Sequence, residues 1–504
     1  MGTTRKVGER AGRERCAEGK GVDSSCRRPV DWPRSRTPGG RVPHRPNILV
    51  VMADQFRAAS LGAVGSDPVR TPHLDRLAAE GILVRQAVSS YPVCSPHRAM
   101  FLTGMRPEVN GVTLNVNSET AQDGVGLRDG LPTWASELRA HGWRTGYIGK
   151  WHLEPPVADD ERFGEGRRDD GKVWDAWSPP ARRFGFDFWY SYGAADRHLA
   201  PHYWTTEAGR DQRIDVEQWS AEHETDVALG YLAAGGSEPF ALMVSLNPPH
   251  QPFDQVPERY RAAYTDLDER TLLNRPNVPH GTAVAAEAAT IARDYFAAIT
   301  GVDEQVGRLA AAVAALDDDR PTVILFTSDH GMQLGSHGLL YKNVAYEESM
   351  RLPLIVHAPG LVPAGSSEAV VDSLDFAPTI LGLAGVSTTD PRMVGRDRAE
   401  ALRGREIPAA DDATLYLRHA SRTDPSSARG WRTPEGKLVA TWNPGGSLGL
   451  QFFDLVADPF ELRSVPDAPA ARCFAAALIA ELAEAGDAWE GRTALLAAYP
   501  AVTT

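Results

Sequence analysis

Little in this chain supports a covalently stapled or membrane-embedded protein. Its 504 residues include only four cysteines, Cys16, Cys26, Cys94 and Cys473, too few and too scattered for a disulfide framework or a zinc site. No apolar run reaches the length needed to cross a bilayer, so no membrane partner is expected. Positive charge is also short. The 53 Lys and Arg stand against 66 Asp and Glu, a net charge of −13. That argues against nucleic acid as a partner, yet it leaves room for a locally basic pocket. Residues 1–44 lack the apolar core of a signal peptide, and Lys6 stands where a myristoylation signal wants Ser or Thr. Rich in Arg, Gly, Ser and Pro, they are expected to form a disordered basic arm. The expected location is the cytoplasm.

What is present reads as an ordinary globular protein, with 42% hydrophobic and 24% charged residues. We expect three parts: the arm 1–44, an α/β domain over 45–405, and a smaller α+β subdomain over 406–504. Short β-branched runs at 48–52, 82–88, 143–148, 240–246 and 322–327 predict buried strands alternating with helices. The fold class is therefore α/β, with a large, mostly parallel sheet flanked by helices on both faces. A long helix is expected over about 282–316, broken at Gly301. The stretch 155–238, rich in Pro, Gly and aromatics, reads as an elaborated loop region. After residue 410, short strands and a helix near 470–485 suggest the small subdomain, and no internal repeats are found.

Four of the strands end in residues that carry chemistry: Asp54, Lys150 with His152, His250, and Asp329 with His330. In an open parallel sheet, carboxyl ends share one edge, so distant residues can converge there. Capping of the next turn is the alternative role for Asp54. A fifth element is the turn Pro92-Val93-Cys94-Ser95-Pro96-His97-Arg98, which opens a short helix. It places Cys94 in the positive field of a helix N-terminus, four residues before a guanidinium, a setting suited to an anion. Carboxylates for a divalent cation, lysines and an arginine for an anion, and histidines for proton transfer suit sulfate or phosphate ester hydrolysis.

These blocks carry a resemblance. Cys94-x-Pro96-x-Arg98 running to Leu102-Thr103-Gly104, Gly149-Lys150-x-His152 and Asp329-His330-Gly331 resemble the type I, formylglycine-dependent sulfatases of the alkaline-phosphatase superfamily. So do Lys342-Asn343-x-x-Tyr346-Glu347-Glu348-Ser349-x-Arg351-x-Pro353-Leu354 and the closing Phe453-Asp454-Leu455 with Asp458-Pro459-x-Glu461. The resemblance runs from Pro46 to about Val465. It implies hydrolysis of a sulfate ester after a separate maturation enzyme oxidises Cys94 to Cα-formylglycine. The hydrated aldehyde then attacks sulfur with help from Asp329. His250 and Lys342 assist the departing alcohol, His152 triggers release of sulfate, and Lys150 and Arg98 stabilise the charged oxygens. Asp54, Cys94, Asp329 and His330 are the implied metal ligands, with Ca²⁺ expected ahead of Mg²⁺ or Mn²⁺.

This chain departs from the family in having Gln55 where a second Asp is common and His330 where Asn is common. Gln55 is accordingly a further candidate ligand, and a changed metal preference is expected. His97 also stands where Ser, Thr or Ala is commoner. A phosphonate monoester or phosphodiester hydrolase on the same formylglycine site is the alternative activity, and a silent homologue with an unmodified thiol is another. Planar rings stack on sugars, so the aromatic stretch from Trp174 to Trp204, with Arg197, His198 and His202, is expected to border the site. On that basis the substrate is read as a sulfated carbohydrate.

Overall fold

The strand β1 (Asn47–Ala53) is buried along its whole length, and its alternation divides the protein into two layers. Ile48, Val50 and Met52 belong to the core on one face, with Trp134, Leu138 and Ile380. Leu49, Val51 and Ala53 belong to the core on the other, with Tyr295, Phe296 and Ile299. A strand apolar on both sides is what a sheet covered by helices on both faces requires. The computed structural model describes residues 45–500 apart from 66 and 406–411. The expected N-terminal arm, with Cys16 and Cys26, lies outside the described residues, and the expected division after residue 405 falls at an undescribed segment.

Around β1 are β2 (Ile82–Val88), β3 (Arg144–Lys150), β4 (Phe188–Tyr192), β5 (His202–Thr205), β6 (Ile214–Asp215), β7 (Phe240–Leu246), β8 (Thr322–Ser328), β9 (Leu354–His357) and β10 (Gly365–Asp372). Their order is β10-β2-β9-β8-β1-β7-β3-β4-β5-β6. The central run β8-β1-β7-β3-β4 is parallel. The expected mostly parallel sheet is therefore present, with β9 running antiparallel to both its neighbours. A second sheet, β11 (Thr414–Arg418), β12 (Ser427–Arg432), β13 (Gly436–Asn443) and β14 (Ser447–Asp454), is antiparallel throughout. Among the described residues no helix is long and apolar enough to cross a membrane.

Two expectations are corrected here. The long helix Ala283–Ala314 is continuous through Gly301. A Cβ at that glycine would lie 2.6 Å from the Trp219 ring, so Gly301 serves close packing rather than a break. The stretch 155–238 is more than loop. It supplies β4, β5 and β6 and the helix Ser220–Ala233, and so extends the main sheet by three strands.

The small sheet grips the large one through a buried charge cluster. Glu347 accepts from Arg432 at 2.7 and 2.9 Å and from Lys437 at 3.0 Å. Lys437 also pairs with Glu461 at 2.6 Å, and Glu461 Oε2 accepts the backbone N–H of Glu347 at 2.7 Å. Both cations are fully buried. Glu347→Ala would strand them without their shared carboxylate, so it should lower unfolding stability by about 3–5 kcal/mol, measured by urea denaturation. A change below about 1 kcal/mol would mean that the cluster does not hold the two sheets together.

Candidate active site

The carboxyl ends of the central strands set the geometry. Ala53 is in register with Ser328 of β8 and Leu246 of β7, so Asp54, Asp329 and Asn247 each stand one residue beyond the same line. Lys150 closes β3 next to them. It follows Gly149, whose φ is +95° and whose Cβ would sit 2.2 Å from the Ser245 carbonyl oxygen. Only glycine lets β3 approach β7 that closely at this point. The helix Cys94–Thr103 is buried at all ten of its residues. Its first turn is capped from outside, where Asn115 Oδ1 accepts the Ser95 N–H at 2.9 Å.

Arg98, one helical turn after Cys94, ties these elements together. Its Nε donates to Asp329 Oδ2 at 3.0 Å and one terminal nitrogen to Asp54 Oδ2 at 3.0 Å. The other donates to Ser245 Oγ at 2.7 Å and the Lys150 carbonyl at 3.1 Å. Lys150 Nζ donates to Asp54 Oδ2 at 2.7 Å and to Asn247 Oδ1 at 3.0 Å. All of these side chains are buried. Burial alone would raise the pKa of Asp54, but Lys150, His250, Lys342 and Arg98 outweigh it and hold the group well below the carboxylate range. Burial and Asp54 likewise push Asp329 upward, and His330, Arg98 and His97 reverse the sign. Both carboxylates are therefore ionised at neutral pH.

Four donor atoms gather above them. Cys94 Sγ, a carboxylate oxygen from each of Asp54 and Asp329, and a ring nitrogen of His330 lie within 4.8 Å of one another. His330 Nδ1 is 2.9 Å from the Gly331 carbonyl. Its N–H is thereby committed, and the Nε2 lone pair faces Cys94 Sγ at 3.3 Å and Oδ1 of each aspartate at 3.5 Å. Burial, opposed by Asp329, brings His330 down to about 4, so the ring is neutral. Beside this set, Gln55 Oε1 is buried with no hydrogen-bond donor among the described residues. Two carboxylates, a neutral imidazole and an orphaned amide oxygen fit a divalent cation. The Cys94 sulfur stands where an oxygen of a hydrated aldehyde would be if the residue were oxidised.

The remaining predicted residues line a cleft of about 240 Å³ over Cys94: Lys150, His152, His250 and Lys342. Lys342 Nζ is 3.3 Å from Cys94 Sγ. His152, at φ +57°, directs Nε2 at the Val116 carbonyl (3.2 Å) and leaves Nδ1 buried without a partner among the described residues. Burial first, then Lys150 and Arg98, hold it well below its usual range, so it is a neutral base. His250 Nδ1 lies 2.8 Å from the Gln251 carbonyl and 3.4 Å from Asp196 Oδ1. The structure thus brings every sequence-predicted site residue to one place. It adds Asn115, Arg168, Asp170 and Asp196 to the cleft wall, none of which stands at a strand end or in a recognisable motif, and it places Trp174 of the aromatic stretch there as expected. Asn247 did carry such a signal, because it begins the strand-end segment that also holds His250.

The stretch from Trp174 to Trp204 borders the site as expected at Trp174, Ala194 and Asp196, but its other rings and histidines do not face the cleft. Trp204 and His202 are buried, and His198 spends Nε2 on the His250 carbonyl at 2.9 Å. His202 Nε2 pairs with Asp175 at 2.7 Å, both wholly buried. These residues became core because β4, β5 and β6 carry the sheet beneath them, and of the stretch's aromatic rings it is Trp174 that lines the cleft. His202→Ala should consequently act on stability, costing about 3 kcal/mol, because buried Asp175 loses its ring partner and keeps only the backbone N–H groups of Glu165 and Gly193. An unchanged melting temperature together with a raised KM would restore the substrate-facing reading.

Comparison with known proteins agrees with this geometry. The sulfatase family model matches residues 46–386, and the model of the N-sulphoglucosamine sulphohydrolase C-terminal region matches 335–487. An endo-4-O-sulfatase of Bacteroides thetaiotaomicron is 34% identical over 456 residues, 84% of this chain and 88% of that protein. A ulvan-active sulfatase of Formosa agariphila is 31% identical, over 91% and 85%. A solved structure from work on the metabolism of multiple glycosaminoglycans by B. thetaiotaomicron superposes with a TM-score of 0.80 at 32% identity, covering 88% of this chain and 98% of that one. With the strand-end residues, the Cys94 helix and the Lys342 loop assembled around one cleft, this chain belongs to the sulfatase family and has its alkaline-phosphatase-like fold.

Proposed function

We propose that the protein hydrolyses a sulfate ester of a carbohydrate, using Cys94 after its oxidation to Cα-formylglycine and a divalent cation held by Asp54, Asp329, His330 and residue 94. One observation carries this reading. At the N-terminus of a buried helix, Cys94 Sγ lies 3.3 Å from both Lys342 Nζ and His330 Nε2, beside two carboxylates already neutralised by Arg98 and Lys150. The relatives' activities on saccharides support the substrate class, and Gln55, whose Oε1 is buried with no hydrogen-bond donor among the described residues, is a further candidate ligand.

The part that the resemblance implies for each residue is compatible with its hydrogen bonds. The cation supplies charge neutralisation for the sulfate oxygens, and the oxidised side chain supplies a hydroxyl that can accept the sulfuryl group and, unlike serine, shed it. Asp329 takes the proton of the attacking hydroxyl, while Arg98 fixes the carboxylate's second oxygen. Lys342 binds the ester oxygen. His250, with Nδ1 committed to Gln251 and Asp196, exchanges its proton with the leaving alcohol through Nε2. His152 accepts at Nδ1 the proton whose loss releases sulfate, because Nε2–H is spent on Val116. Lys150 screens Asp54 and keeps the sulfate pocket positive.

Protein co-produced with a formylglycine-generating enzyme should differ in intact mass from the thiol form, and only the modified species should turn over sulfate esters. A screen of sulfated saccharides, aryl sulfates, phosphodiesters and phosphonate esters tests the class. A preference for the phosphorus esters would overturn the sulfatase assignment. Cys94→Ala should lower kcat at least about 1,000-fold. Cys94→Ser should stop after one turnover with a sulfated serine, and sustained cycling by that variant would contradict the release step. Removal of metal by a chelator should abolish activity and lower the melting temperature. Ca²⁺ should restore both better than Mg²⁺ or Mn²⁺, and equal recovery without added metal would remove the cation from the proposal.

A further inference from the structure

A set of contacts zips the end of β7 to the connection that follows β4. Asn247 Nδ2 donates to the Ala195 carbonyl at 3.0 Å. His198 Nε2 lies 2.9 Å from the His250 carbonyl, and the His250 ring turns Nδ1 toward Asp196 Oδ1 at 3.4 Å. His250 is thus gripped by its backbone and by its ring, from one short segment. The Gln251 carbonyl, 2.8 Å from the same Nδ1, makes that nitrogen the protonated one and leaves Nε2 for the cleft.

Asp196 is itself firmly held. Its backbone N–H donates to Glu165 Oε1 at 3.1 Å, and its Oδ2 accepts from Arg168 at 2.6 Å. Arg168 donates in turn to Glu165 Oε2 at 2.8 Å, so Glu165 balances part of the guanidinium charge. Oδ1 of Asp196 is left to the His250 ring and, at 3.5 Å, to Asn247 Nδ2. Burial pushes this carboxyl up, but His250, Arg168 and Lys150 outweigh it and hold the group below the carboxylate range. Asp196 is therefore ionised at neutral pH.

Electrostatics gives this pairing a purpose. A ring that hands a proton to a departing alcohol must carry positive charge before it does so. Lys150 and Lys342 line the same cleft as His250, and both oppose a further cation there. Asp54 cannot relieve this, because its charge is spent on Lys150 and Arg98. Asp196 is the carboxylate that meets the His250 ring itself.

We infer that Asp196 is a positioning residue, which holds the His250 ring with Nε2 toward the cleft and steadies its charged, proton-donating form. The inference rests on the sulfatase reading of the Cys94 cleft. As the S–O bond of the ester breaks, its electron pair stays on the alcohol oxygen. That oxygen takes the Nε2 proton, the ring is left neutral beside Asp196, and solvent returns the proton between turnovers. Such help counts most where the alcohol is a poor leaving group. The test ranks the sulfate esters that the matured enzyme hydrolyses in the screen by the acidity of the alcohol they release. Asp196→Asn, with Asp196→Ser as a smaller uncharged replacement, should lower kcat/KM more steeply as that acidity falls, by about tenfold or more between the ends of the series. His250→Gln should steepen the series as well. Adding Asp196→Asn to that variant should steepen it by less than about twofold more, because the carboxylate acts through the ring. A second measurement needs no substrate: the downfield Nδ1–H proton resonance of His250, identified by its absence from His250→Gln, should move in Asp196→Asn. Equal loss on every ester, a clear further steepening in the double variant or an unmoved resonance would overturn the role of Asp196 and leave the sulfatase reading intact. Failure of the unsubstituted, matured enzyme to turn over any sulfate ester would instead remove the sulfatase reading, and this role with it.

Discussion

The buried fork of Arg98 between Asp54 and Asp329 is the interaction on which the site depends. It joins the helix that begins at Cys94 to the ends of β1 and β8, and its remaining nitrogen reaches β3 and β7 through Lys150 and Ser245. Four strands and one helix are thereby set in register by a single planar group. A lysine could not replace it, because one ammonium cannot satisfy acceptors lying in so many fixed directions. Two ionised carboxylates buried this deeply would otherwise repel each other and rise in pKa.

The same fork balances the charge at the floor of the pocket. Asp54 and Asp329 with Asp170 and Asp196 of the wall bring four negative charges, and Arg98, Lys150 and Lys342 with Arg168 bring four positive ones. His330 and His152 are neutral and add none. A doubly charged cation bound on top of this balance would make the cavity anion-seeking within a protein whose total charge is −13. Local arrangement, and not composition, governs what such a molecule attracts.

Much of this was legible in the sequence, for a physical reason. Strands buried on both faces read as unbroken apolar runs, and the residues just past them must lie on one edge. Asp54, Lys150, His250 and Asp329 could therefore be placed together before any coordinates. The helix Ser220–Ala233 was missed because Ser220, Glu224 and Thr225 occupy its buried face, which dilutes the apolar period. Strands β5 and β6 are too short to show alternation, so the aromatics around them looked like loop residues. Asp196 and Arg168 reach the cleft only through the path of a long connection, and no local pattern encodes that path.

The small sheet packs its apolar side on Tyr91, Val93 and Met100, the residues flanking and following Cys94. Its partners Leu415, Leu438, Leu478 and Leu495 lie more than 300 positions later in the chain. A ribosome adding about 5–20 residues per second needs roughly 15 seconds to a minute to reach them. For that interval the Cys94 segment has been made but its cover has not. The proposed oxidation of that side chain would thus have a clock, set by the length of chain between the cysteine and the sheet that packs on its flanking residues.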